Sequence, residues 1–280
     1  MPLLIAAGTA YRADAILFDK DGTLLDFMYT WGNWSECLLA SFSAFLKERG
    51  LPPIGADMSA LWGTRSGPDG EVSGYDRNGP LAMGTIDELL SILAWHGYRS
   101  GLSWAEAKTA AQQGRQLADE RLRLDRRVRP LPGAVSFLER CRSAGFKLAV
   151  VTADETAEAE RHLEWLGVRP LFGACVGTDL VRRGKPFPDM AELACRRLSV
   201  DPARAVVIGD TNGDMRMAKA AGAAAAIGIA AGAAGIAAGT AESHSAAAGT
   251  VPATRLADAD AVVASYGELS VQPEPEPDEG

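Results

Sequence analysis

Ile16-Leu17-Phe18-Asp19-Lys20-Asp21-Gly22-Thr23-Leu24 is an apolar run that stops at two carboxylates flanking one lysine, followed at once by a glycine. A short continuous apolar run ending in a turn signal reads as a buried strand whose tip delivers acid groups into a loop. Side chains alternate along an extended segment, so Asp19 and Asp21 serve one centre while Lys20 points elsewhere, toward solvent or a neighbouring loop. Gly22 permits the tight turn that a ligand or metal approaching the main chain requires.

Two later runs have the same character. Phe146-Lys147-Leu148-Ala149-Val150-Val151-Thr152 ends in a hydroxyl, and Ala205-Val206-Val207-Ile208-Gly209-Asp210 ends in a carboxylate. Near-continuous apolar strands are those of a parallel sheet covered on both faces. Gly184-Lys185-Pro186 places an ammonium on a loop between them, and Asp214 follows Asp210 by four residues. Open α/β sheets bind ligands outside the carboxyl ends of their strands, so these segments are expected to converge there.

The order Asp-x-Asp-Gly-Thr, Thr, Lys, Gly-Asp-x-x-x-Asp resembles the haloacid dehalogenase (HAD) superfamily of phosphotransferases over most of residues 14 to 265. The resemblance implies an α/β fold, a Rossmann-like parallel sheet core with an inserted α-helical cap of the C1 type. That group includes phosphoglycolate phosphatase and β-phosphoglucomutase. The implied activity is Mg²⁺-dependent hydrolysis of a small-metabolite phosphate monoester through an aspartyl-phosphate. In that scheme Asp19 is the nucleophile, Asp21 the general acid and base, and Thr152 and Lys185 hold the transferring phosphoryl group. The implied metal ligands are the Asp19 carboxylate, the Asp21 main-chain carbonyl, Asp210 and Asp214. A phosphomutase of the β-phosphoglucomutase kind would use the same residues, and a non-catalytic HAD-fold binding subunit would keep the fold without turnover. The chain departs from the common pattern at Lys20, where these phosphatases usually carry an apolar residue.

Between the first strand and Pro130 the pattern becomes helical. Asn33 with Glu36, Thr85 with Glu88 and Ser103 with Glu106 read as capping boxes. Leu38, Leu39, Phe42, Phe45 and Leu46 fall on one helical face before Gly50, and the third box opens a helix to about Leu124. The expected organisation is a core segment 1–27, an all-helical cap 28–129, a second core segment 130–270 and a disordered acidic tail 271–280. Substrate selection then falls to the insertion; within it the loop Tyr75 to Gly84, with Arg77, reads as an ordinary surface loop more readily than as an anion reader. His96, His162 and His244 carry no motif and the implied mechanism requires none of them.

A formal charge of -8 over 280 residues argues against nucleic acid, which demands a basic face, and is slightly unhelpful for an anionic substrate, so a metal ion and locally placed Lys or Arg must offset it for the small phosphorylated metabolite that the resemblance implies. Cys37, Cys141, Cys175 and Cys195 have no metal-ligand spacing, and Met1 to Ile5 offers no basic region ahead of its apolar residues, so a cytoplasmic monomer or homodimer is expected. Ala220 to Thr240 is uncharged but nearly all Ala and Gly; it reads as a strand near Ala224 to Ile229 followed by a loose connection, not as a membrane span.

Overall fold

The computed structural model describes residues 1–55, 62–66, 72–76, 79–230 and 256–274. The apolar run before Asp19 forms strand β3 (Ala15–Phe18), with every residue buried. It lies inside a six-stranded sheet between β6 (Lys147–Val151) and β8 (Ala205–Gly209), with β7 (Ala174–Val176) beyond β6 and β9 (Ala225–Ile229) and β10 (Ala261–Val263) beyond β8. All neighbouring pairs in this sheet are parallel, and Phe18 lies in register with Val150 on one side and Ile208 on the other. The three strand tips that carry Asp19, Thr152 and Asp210 therefore end at one level.

Alternation along each strand feeds two apolar layers. Ile16, Phe18, Leu148, Val150, Val206 and Ile208 join Phe137 and Tyr266 on one face, while Ala15, Leu17, Ala149, Val151 and Val207 join Met190, Ala194 and Met215 on the other. Phe18 meets the rings of Phe137 and Phe172 edge-on at 6.2 and 6.3 Å. Burying one such side chain is worth about 1.5–3 kcal/mol, so the two layers fix the strand carrying the acids on both sides. Helices α4 (Ala134–Ser143), α5 (Thr156–Trp165), α6 (Asp189–Leu198) and α7 (Asn212–Ala220) accompany these strands.

A second, antiparallel sheet has the order β11-β1-β2, from β1 (Leu3–Ala6), β2 (Thr9–Arg12) and β11 (Leu269–Gln272). Ala7 and Gly8 turn the β1–β2 hairpin with φ of 47° and 80°, the positive-φ pair that matches strand twist. This corrects the start of the expected tail: Val271 pairs with Leu4 and Gln272 with Leu3, because the edge of β1 offers unpaired backbone groups. Residues 275–280 of that tail lie outside the described residues.

The chain divides into two units, Met1–Asp26 with Pro130–Gly280, and Phe27–Arg129. The second contains α1 (Asn33–Glu48), α2 (Ile86–Arg99) and α3 (Trp104–Asp125). Thr85–Glu88 and Ser103–Glu106 form complete capping boxes. Asn33 and Glu36 do not: residues Met28–Gly32 are already helical, so Asn33 has helical backbone, and the Glu36 carboxylate accepts from the Val72 N–H at 2.7 Å. The unit is also not all-helical, since β4 (Thr64–Ser66) pairs antiparallel with β5 (Val72–Tyr75). Tyr75 stacks on Phe27 with ring centroids 4.0 Å apart, an aromatic contact that favours the extended segment. Trp34 is buried, donates its indole N–H to Asp119 at 2.7 Å and stacks on Trp62, so it packs the interior of this unit. Arg77 lies outside the described residues.

Candidate active site at the strand tips

Asp19 begins where β3 ends, and its N–H still donates to Ile208 O at 2.9 Å, which fixes the acid against β8. The next residues fold back sharply: Leu24 and Leu25 N–H donate to Lys20 O at 2.8 and 2.9 Å, and Gly22 N–H to Leu25 O at 2.8 Å. The buried Tyr266 hydroxyl secures the loop by donating to Thr23 O at 3.0 Å. Gly22 has φ +86°, and a Cβ there would overlap the Asp210 carboxylate. The glycine is needed twice, for conformation and for space. Gly22→Ala is expected to displace Asp210 and lower turnover about 10²-fold or more, the scale of an ångström-level misplacement; steady-state kinetics on the purified variant checks this.

Asp210 follows β8, and Asp214 lies in the first turn of α7. Thr211 and Asp214 form a capping box, with Asp214 Oδ2 accepting from Thr211 N at 3.0 Å and from its hydroxyl at 2.6 Å. One Asp214 oxygen is thereby committed to the helix start. The other meets Lys185 Nζ at 2.6 Å, and the same ammonium donates to Asp19 Oδ1 at 2.5 Å. Carboxylate oxygens of Asp19, Asp210 and Asp214 all lie within 4.8 Å of one another, and all three residues are buried. Burial raises the Asp19 carboxyl to about 7; Lys185 opposes this, and the charges of Asp214 and Asp21 add to it. Burial depresses the Lys185 ammonium, but Asp19 and Asp214 outweigh that and the net shift is upward. Lys185 is thus held as a cation among crowded acids.

Thr152, buried at the tip of β6, donates its N–H to Val176 O at 3.0 Å. Its hydroxyl oxygen accepts from the Asp154 N–H at 3.2 Å, which leaves the hydroxyl proton for another acceptor.

Lys20 does not reach solvent. It is fully buried, and its ammonium lies 2.9 and 2.7 Å from the two Asp21 oxygens, 3.1 Å from Asp154 Oδ2 and 3.1 Å from His162 Nδ1. Strand alternation does turn it away from Asp19, but both sides of this sheet are covered, so the opposite side holds protein and not water. Burial lowers the ammonium's affinity for its proton, and Asp21 and Asp154 more than reverse this. Burial raises Asp154 to about 6 against the pull of Lys20. His162, pushed down to about 2 by burial and then by Lys20 and Arg161, is neutral and accepts at Nδ1. Asp154 was not among the residues singled out by sequence, and His162 was named there only as a histidine without a motif; the Thr-x-Asp spacing after a buried strand, which repeats the Asp-x-Asp spacing, is a signal that could have found Asp154. His244 lies outside the described residues.

Hard oxygen donors at this separation, three acids against one shared ammonium, suit a small divalent cation. Among the described residues no helix is long and apolar enough to cross a membrane.

Comparison with known proteins agrees with this arrangement. The family model for haloacid dehalogenase-like hydrolases matches residues 13–222. "Probable phosphatase IndB" of Dickeya dadantii is 42% identical over 98 residues, a match spanning 35% of this chain and 42% of that protein, less than half its length. Phosphoglycolate phosphatase of Psychrobacter arcticus is 27% identical across 71% of this chain and 76% of its own. In fold, the chain is similar to the crystal structure of a predicted phosphoglycolate phosphatase from Haemophilus somnus, with a TM-score of 0.56 and 24% identity over 78% of this chain and 85% of that one. The sheet order, the convergence of acids at its carboxyl edge and the family match lead to one conclusion: this chain belongs to the haloacid dehalogenase-like hydrolase family.

Proposed function

We propose that this hydrolase is a Mg²⁺-dependent phosphatase that releases phosphate from a small-metabolite monoester through an aspartyl-phosphate on Asp19. The observation that carries the reading is the Lys185 ammonium shared between Asp19 and Asp214, with Asp210 within reach of both.

A phosphate monoester resists nucleophiles because its oxygens are anionic, so the site must position and neutralise before it attacks. Asp19, at the end of a strand packed on both faces, is a fixed nucleophile for in-line attack on phosphorus. Lys185 can neutralise the carboxylate and then the equatorial oxygens of the transferring group, and the Thr152 hydroxyl donates to a third position. Asp21 gives a proton to the leaving oxygen and later removes one from the water that cleaves the ester. Asp19, Asp210, Asp214 and the Asp21 carbonyl would hold Mg²⁺, which supplies charge neutralisation for the substrate phosphate. We assign leaving-group selection to the Phe27–Arg129 unit, and a cytoplasmic setting to a chain whose four cysteines are all free. A small glycolate-like phosphate is the substrate class we favour, from the kinship with phosphoglycolate phosphatases.

Purified protein with Mg²⁺ is expected to release inorganic phosphate from members of a small-metabolite panel; no release from any of them refutes the reading. The crowded acids give a second expectation, independent of turnover. Mg²⁺ at a hundred times its dissociation constant stabilises a folded-state site by about 2.7 kcal/mol, a rise in Tm on the order of 5–10 °C. Asp210→Asn is expected to lose most of that rise, read by thermal melts with and without the ion.

A further inference from the structure

We propose that Lys20 is a positioning residue that sets the Asp21 carboxylate for proton transfer, through a buried strut anchored on Asp154 and His162. The proposal rests on the phosphatase reading above and deepens it.

An ammonium has three protons and no acceptor. Lys20 directs it at groups from three places in the core unit: Asp21 in the loop after β3, Asp154 in the loop after β6, and His162 on α5. Both Asp21 oxygens are within 2.9 Å of Nζ, so the carboxylate is held at both ends. Asp21 itself keeps some solvent access, with its side chain 14% exposed, whereas Lys20, Asp154 and His162 are buried behind it. A partly exposed acid is thereby clamped from a fixed interior base. The strut also runs to the Thr152 loop, because the Asp154 N–H donates to the Thr152 hydroxyl. One interior ammonium ties the proton-transfer acid to a phosphoryl-binding hydroxyl.

Stability alone gives little reason for this arrangement. Desolvating an ammonium is unfavourable, and well-packed apolar replacements of buried ion pairs are often neutral or stabilising. An apolar side chain of similar length would fill the same space. What it would not do is hold Asp21.

The role has a kinetic signature that separates it from general damage. Attack by Asp19 on p-nitrophenyl phosphate needs no proton delivered, because the leaving nitrophenolate is already a stable anion, whereas an alkyl alkoxide must be protonated as it leaves. Cleavage of the aspartyl-phosphate needs a base toward water for either ester. Lys20→Met, with Mg²⁺ present, is therefore expected to give a stoichiometric nitrophenolate burst at close to the wild-type rate, then steady turnover slowed about 10²-fold, the scale of a lost general acid or base. With an alkyl phosphate the first step itself is expected to slow by a similar factor. Lys20→Met leaves the Asp154 charge buried, so the charge-balanced K20M/D154N protein carries the same expectation should the single variant not fold. Burst and steady rates falling together, or wild-type kinetics in both phases, overturn the proposal. Wild-type protein that releases phosphate from neither ester overturns the phosphatase reading as well.

Discussion

Asp19→Asn is expected to abolish phosphate release, by about 10⁴-fold or more, while leaving a folded protein whose melting temperature without Mg²⁺ is no lower than wild type. The two halves of that expectation have different sources. Activity is lost because an amide nitrogen or oxygen in place of the carboxylate no longer attacks phosphorus, and no neighbour substitutes for it: Asp210 and Asp214 follow β8, and one Asp214 oxygen is held in its helix cap. Stability is kept because the wild-type carboxylate is buried and crowded by Asp214 and Asp21, the circumstances that raise its pKa. A neutral amide of the same shape avoids that repulsion. Phosphate release and a thermal melt on one preparation test both halves.

Lys185→Met is expected to be the most damaging change after Asp19→Asn. Its ammonium is nine-tenths buried and shared by two carboxylates. Removing one partner of such a cluster leaves uncompensated buried charge, at a cost of about 3–5 kcal/mol. Turnover should fall about 10²- to 10³-fold, as for other fixed electrostatic donors to a transition state. The two losses are separable, because a divalent cation can offset the stranded acids but cannot stand where Nζ meets the phosphoryl oxygens. Mg²⁺ is thus expected to recover much of the melting temperature and little of the rate. Recovery of both would mean that Lys185 serves only to neutralise the empty acids.

The parallel sheet and the convergence of its acidic tips were legible in the sequence, because β3, β6 and β8 are continuous apolar runs that stop at Asp19, Thr152 and Asp210. Two of the three capping boxes were legible for a local reason: Thr85 and Ser103 carry extended backbone and satisfy their own helix starts. Asn33 has the same pattern, but tertiary context continued the chain helically before it and gave Glu36 to Val72. Strands of three or four residues, such as β1, β2, β4 and β11, carry too few alternations to announce themselves, and their pairing comes from distant partners. Leu3 and Gln272 are neighbours only in the folded chain.

Lys20 is the most instructive difference. Alternation correctly set it opposite Asp19, and of the two surroundings expected there, solvent and a neighbouring loop, the structure gives the loop after β6 that carries Asp154 and excludes solvent. Apart from the adjacent Asp21, the partners of Lys20 lie 134 and 142 positions away, and no local pattern reports a buried ammonium until those partners are in place. The acids that define the site are legible one strand at a time; the strut behind them exists only across strands.

The most direct test of the whole account is chemical trapping on the reacting enzyme: wild-type protein mixed with a turned-over phosphate ester and Mg²⁺, quenched in acid, digested, and its peptides weighed. One phosphoryl group is expected on Asp19 and none in the Asp19→Asn protein. Full phosphate release with every peptide unmodified, or a phosphoryl group on any other side chain, would contradict it.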